Sequence, residues 1–181
     1  MTETYGRYAT HIPLLTKLFE FKDCPVVFEF GTGFASTPFF LNHALTLVSL
    51  EMQSEEWFEK VRSTIQPHAH VDWQLSCRLG PESYDYLLES KERFDLLFVD
   101  GHGESRPECI NAGFDLKIPH IVVHDTEYPG YGWERVRQPE HYYCYIFKEF
   151  ANWTSLYTLD KDLYDAFLEW RKYDNVELAS N

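Results

Sequence analysis

Residues 26–34 read VVFEFGTGF, and no other stretch of the chain narrows the fold as far. A short apolar run is broken by one acid, Glu29. It then gives way to Gly31 and Gly33, after which Ser36 or Thr37 can cap a helix that carries Pro38 in its first turn. This is the pattern of a buried parallel strand feeding a tight turn against a bound ligand. Glycines suit such a turn because the backbone bends sharply and a ligand approaches without Cβ atoms in the way. An acid two positions before the first glycine lies near that ligand. It would repel a pyrophosphate, which wants backbone N–H groups, and would favour a cationic ammonium group. The third glycine of the nucleotide pattern G-x-G-x-x-G is replaced by Ser36. The turn therefore suits a positively charged ligand better than a dinucleotide.

The rest of the chain alternates strand and helix patterns, which predicts an α/β sheet with helices on both faces. Leu14, Leu15, Leu18 and Phe19 form one helical face, opened by Thr10 or His11 with Pro13 in the first turn. Residues 46–51 (TLVSLE) read as the second strand and end on Glu51, 20 residues after Gly31. At that distance a carboxylate can grip the ribose hydroxyls of an adenosine. Ser54 caps the next helix, with Trp57, Phe58, Val61 and Ile65 inward. Residues 71–76 form a third strand, followed by a helix marked by Tyr84, Leu87 and Leu88. Residues 94–100 (FDLLFVD) and 121–125 (IVVHD) are buried strands, each ending on an acid. The segments 142–147 and 153–158 also have strand composition. The five residues between them are too few for a helical crossover, so the two should pair antiparallel. Residues 160–173 read as an amphipathic helix with Leu163, Tyr164, Phe167 and Leu168 inward.

At E-x-G-x-G (residues 29–33) the chain resembles the class I S-adenosylmethionine (SAM)-dependent methyltransferases, and more narrowly their small-molecule O-methyltransferases. The resemblance covers roughly residues 24–158. It implies a three-layer αβα Rossmann-like sandwich whose mostly parallel seven-stranded sheet ends in an antiparallel hairpin. One domain would span residues 1–181, with 1–22 as an amino-terminal helical cap and 160–181 as a carboxy-terminal helix. It further implies SAM as cofactor, with contacts from Glu29, Gly31, Thr32, Gly33, Glu51, Met52 and Asp100. At Asp100 and Asp125-Thr126 the chain is similar to metal-dependent O-methyltransferases, which carry an acid after the fourth strand and an acidic or amide pair after the fifth. That similarity implies a divalent cation such as Mg²⁺. Thr126 departs from the pattern, and Glu127 is the nearest substitute.

Four strands end at or near acids: Glu29, Glu51, Asp100 and Asp125. Ligands of open α/β sheets bind outside the carboxyl ends of the strands, so all four face one region. Asp100 and Asp125 end strands expected side by side, with His102 and His124 close by. Three readings stay open for this pair. It could bind a divalent cation. His102 could act as general base on an acceptor hydroxyl, making Asp100, His102 and Asp125 the catalytic set. Or these groups only cap helices and fix loops. Residues 8–13 (YATHIP) read either as cover for the substrate side or as a helix cap. Residues 128–133 (YPGYGW) read as an aromatic lid or as a packed loop, and His68 and His70 as surface histidines.

A net charge of −13 argues against nucleic acid as a partner. No apolar run reaches the ~18–20 residues of a membrane span and no signal peptide is visible, which predicts a cytoplasmic protein. Cys24, Cys77, Cys109 and Cys144 form no CxxC pair and read as buried reduced thiols. No Ser or Cys sits in a nucleophile-elbow context. The leading expectation is methyl transfer to a hydroxyl oxygen of a small-molecule acceptor. An NAD-dependent oxidoreductase and a non-catalytic cofactor-binding or partner module stay open beside it. So does association as a homodimer.

Overall fold

The computed structural model describes residues 8–178; the predicted ends at 1–7 and 179–181 lie outside them. The seven strands are β1 (Val26–Phe30), β2 (Thr46–Glu51), β3 (Asp72–Cys77), β4 (Leu96–Val99), β5 (His120–His124), β6 (Tyr143–Phe147) and β7 (Thr154–Thr158). They form one sheet in the order β3-β2-β1-β4-β5-β7-β6. β1 to β5 run parallel, and β7 enters antiparallel between β5 and β6. The predicted terminal hairpin is thus present, and it inserts its second strand against β5.

Helices α1 (Ile12–Phe21), α2 (Ser36–His43), α3 (Glu55–Thr64), α4 (Asp85–Glu89), α5 (Arg106–Asp115) and α6 (Lys161–Leu178) cover both faces. Successive strand residues point to opposite faces. Val27, Leu96, Phe98 and Val122 therefore pack with Leu14, Leu18, Phe40, Val61 and Phe167 in one core. Phe28, Leu97, Val99 and Val123 pack with Leu87, Ile110 and Phe114 in the other. This is the three-layer sandwich expected from the sequence. Leu168, expected inward on α6, is instead 39% exposed, because Leu163 and Phe167 already fill that face. Cys24 and Cys109 are buried, whereas Cys77 and Cys144 are only partly so, and all four are free.

β1 is flanked by β2 on one side and β4 on the other, so the chain reverses direction across the sheet at its centre. The carboxyl ends of β1 and β4 diverge there and open a crevice. Two parallel runs of the same period place the side chains that line it. Phe98 and Asp100 fall on the α1 face of the sheet, and so do Val122 and His124.

Candidate active site

A cleft of about 980 Å³ opens at this point. One half is built by the β1 and β2 ends, with Gly31, Thr32, Gly33, Glu51, Ser54 and Trp57 in its lining. The other half is built by β4, β5 and the segment before α1, with His11, Asp100, Arg106, His124, Asp125 and Asn152.

In the first half the acids are saturated. Glu29 is fully buried and accepts hydrogen bonds from Ser36 Oγ (2.7 Å), Thr37 Oγ1 (3.0 Å) and Ser49 Oγ (2.7 Å). The hydroxyls expected to cap α2 are spent here, and α2 starts without a side-chain cap. Burial pushes the Glu29 carboxyl up to about 7, against the pull of the three hydroxyl donors. Glu29, expected to face a cationic ligand, does not line the cleft in this structure. It fixes the glycine turn through Thr37, whose hydroxyl also accepts from Gly33 N–H at 3.0 Å. Met52, also expected among the cofactor contacts, is likewise set back from the cleft. It is 1% exposed and absent from the lining, with its sulfur packed against Gly101.

Glu51 does line the cleft. One carboxylate oxygen accepts from Thr32 Oγ1 (2.7 Å) and Thr32 N (3.3 Å), the other from Gln53 N (2.8 Å) and Ser54 N (3.3 Å). Ser54 caps α3 as expected, accepting from Trp57 N at 3.2 Å, and the Trp57 indole N–H donates to Thr32 O at 2.8 Å. Gly31 has φ +84°, and a Cβ there would lie 2.5 Å from the Asp100 carbonyl oxygen. The turn needs glycine because β1 and the β4 loop touch at this point, a constraint separate from any ligand.

The second half carries unlike charges. Arg106 is 4% exposed. Its guanidinium donates to Asp100 Oδ1 (2.9 Å), His124 O (2.5 Å) and Gly101 O (3.3 Å), and approaches Asp125 Oδ2 at 3.6 Å. Tyr131 stacks over it at 4.5 Å. Burial opposes ionisation of Asp100, but contact with His124 and the charge of Arg106 outweigh it and hold the carboxyl below its ordinary value. Asp125 has φ +58°, a strained conformation for a non-glycine residue, and accepts from Asn152 Nδ2 at 2.5 Å. His124 shares a hydrogen bond with Thr10 Oγ1 through Nε2 (2.8 Å) and turns Nδ1 toward Asp100 Oδ2 (3.3 Å).

The acid pair therefore converges as the sequence implied, but His102 does not join it. His102 lies outside the cleft lining, on the loop before a short 3₁₀ turn (Gly103–Ser105), and only its backbone carbonyl engages, accepting from Ser105. The histidines beside Asp100 are His124 and His11. The first was legible as the residue on the Asp100-facing side of β5, and the second belonged to the flagged segment 8–13. Arg106 and Asn152 carried no local signal, since a lone arginine or asparagine near a turn reads as surface. The loop 128–133 is pinned by Arg135, which donates to Glu104 O and Tyr131 O.

A Mg²⁺ ion bridging Asp100 and Asp125 does not fit these residues. The guanidinium of Arg106 already lies between the two carboxylates. Thr126 turns away to accept from Ser155 Oγ, and Glu127 accepts from Trp153 N at 2.7 Å. The fit to SAM is better: the cleft holds the glycine turn and Glu51 at the expected strand ends, with room for a cofactor and a small acceptor.

No family model matches the chain, and no curated protein matches it in sequence. Solved structures do match. Cofactor-bound Rv0187 from MTB superposes with a TM-score of 0.63 at 20% identity, over 87% of this chain and 82% of that one. An O-methyltransferase from Bacillus cereus in complex with SAH gives 0.62 at 17%, over 86% and 82%. The O-methyltransferase TomG from Streptomyces achromogenes, in complex with SAM, gives 0.60 at 17%, over 87% and 82%. The chain has the class I SAM-dependent methyltransferase fold.

Proposed function

We propose that the protein is an SAM-dependent methyltransferase that acts on a hydroxyl of a small acceptor. The observation that carries this reading is the two-sided cleft at the β1/β4 divergence, with the glycine turn and Glu51 on one side and Asp100, His124 and Asp125 on the other. The structural neighbours crystallised with SAM or SAH support the cofactor. When bound, SAM supplies a methyl group already activated by its sulfonium. The chain must then hold the acceptor and take its proton. His124, oriented by Thr10 and paired with Asp100, is the group to receive that proton, while Asp125 and Asn152 orient the acceptor. Arg106 holds both acids in place and keeps Asp100 ionised. The net charge of −13 favours a small acceptor over a nucleic acid. Four free cysteines suit a reducing, cytoplasmic location, and no helix among the described residues is long and apolar enough to cross a membrane.

Calorimetric titration with S-adenosylhomocysteine and with NAD tests the cofactor, followed by transfer of labelled methyl from SAM to a panel of small hydroxyl compounds. The homocysteine derivative should bind one to one and NAD should not; the reverse result overturns the reading. His124→Gln should lower turnover about 10²–10⁴-fold and leave cofactor affinity nearly unchanged.

A further inference from the structure

His11 presents a problem that methyl transfer does not solve. Its side chain is 1% exposed, and neither ring nitrogen has a hydrogen-bond partner. An unsatisfied buried polar group costs about 1–3 kcal/mol, and His11 carries two such atoms. The ring stands edge-on to His124 (centroids 4.6 Å apart) and beside Phe98 (5.0 Å), in the wall of the cleft.

We infer that His11, Asp100 and His124 form a binding site for a divalent transition-metal ion of the zinc type. One donor atom from each lies within 4.8 Å of the others. The His124 Nδ1–Asp100 Oδ2 separation is 3.3 Å, and His124 Nδ1 makes no aligned hydrogen bond. Two ligands with ~2.05 Å bonds to a tetrahedral ion stand roughly 3.3–3.4 Å apart, so this edge is already set, and a turn of the His11 ring brings in the third. Two imidazoles and one carboxylate select a transition metal over Mg²⁺, which takes oxygen. Three protein ligands leave a position open to the cleft, the arrangement of a catalytic site rather than a closed structural one.

The surrounding groups agree. A metal-bound imidazole ordinarily donates its other N–H to a fixed acceptor, and Thr10 Oγ1 stands 2.8 Å from His124 Nε2. Asp100 gives Oδ1 to Arg106 and turns Oδ2 to His124, so one carboxylate can serve both the guanidinium and the ion. The site differs from a bridge between Asp100 and Asp125, which Arg106 blocks. The site shares Asp100 and His124 with the proposed methyltransferase site, and with an ion on Nδ1 and Thr10 on Nε2 the acceptor's proton would pass to a group other than His124.

Zn²⁺ titration by calorimetry and Co²⁺ titration by visible absorption test it on the full chain. The His68→Ala/His70→Ala background removes the stacked surface pair as a competitor. One equivalent of each metal should bind, unaffected by excess Mg²⁺, and Co²⁺ should show the d–d bands of a four- or five-coordinate N/O site. His11→Phe keeps the aromatic packing against Phe98 and should lower affinity at least ~100-fold. Thr10→Val should lower it about 10–100-fold, the range for an outer-sphere partner. Thermal melting of each variant shows that it folds. Binding that survives His11→Phe in a folded protein, or no binding of either metal to the parent, overturns the site. Titration of the same sample with S-adenosylhomocysteine separates the two readings: cofactor binding without metal binding removes only the metal site, and the converse removes only the methyltransferase reading.

Discussion

The two halves of the cleft solve the burial of carboxylates in opposite ways. On the β1–β2 side, Glu29 and Glu51 are surrounded by hydroxyls and backbone N–H groups, none of them charged. On the β4–β5 side, Asp100 and Asp125 face a buried guanidinium and a histidine, and neither ring nitrogen of the neighbouring His11 has a hydrogen-bond partner. Neutral donors hold an acid rigidly without fixing its charge. A buried cation fixes the charge and makes the site dependent on one residue. The first half is scaffold for a turn, and the second is poised for chemistry.

Removing that one residue should give the largest effect. Arg106→Leu leaves two acids near each other without their cation, and unfolding in urea should show a loss of about 3–5 kcal/mol. No comparable single dependence exists around Glu51, whose carboxylate is held by three residues. Gly31→Ala breaks the seam between the halves. The positive φ costs about 1–2 kcal/mol and the overlap with Asp100 about 1–3 more. Gly33→Ala, where a Cβ meets only Ser36 Oγ at 3.3 Å, should be far milder by the same measurement.

Glu29 sharpens the contrast through pH. Its folded value of about 7 lies above the ordinary 4.5, so the folded state holds a proton that the unfolded chain has released. Its contribution is therefore most favourable below pH 4.5 and declines by about 3 kcal/mol as pH rises to 7, then stays level. Glu29→Gln should flatten that slope in a pH series of denaturant midpoints. A slope that persists would place the titrating group elsewhere. The smallest effect belongs to Trp57→Phe, which loses the indole bond to Thr32 O and should cost about 1 kcal/mol in thermal melting.

The fold was largely legible because its signals are local. β1 and β2 begin and end where the sequence places them, since each apolar run is bounded by a turn residue or an acid. The antiparallel β7 followed from the length of a single connection. The site was legible only in part. Asp100, Asp125, Glu51 and Gly31 sit at strand ends that the sequence marks. Glu29 is ambiguous in the sequence because an acid before a glycine turn looks the same whether it faces a ligand or three hydroxyls. Those hydroxyls come from Ser36, Thr37 and Ser49, and Ser49 lies 20 residues away. Asn152 supplies its amide from the turn between β6 and β7, a position that no pattern around Asp125 reveals.

The bond between Thr10 and His124 joins residues 114 apart in sequence, and Asn152 reaches Asp125 across 27 more. Long loops must close before such contacts form, so the β4–β5 half of the cleft is assembled late. A nascent chain that has paired β1, β2 and β4 already owns its glycine turn, yet lacks the second half of its cleft until the last hairpin docks. The same order runs backward on heating. Local opening of the hairpin or of the segment before α1 would silence the protein while its central sheet is intact. Loss of activity should thus precede loss of far-ultraviolet circular dichroism in a temperature ramp, and the gap between the two measures how loosely the chemistry is attached to the fold.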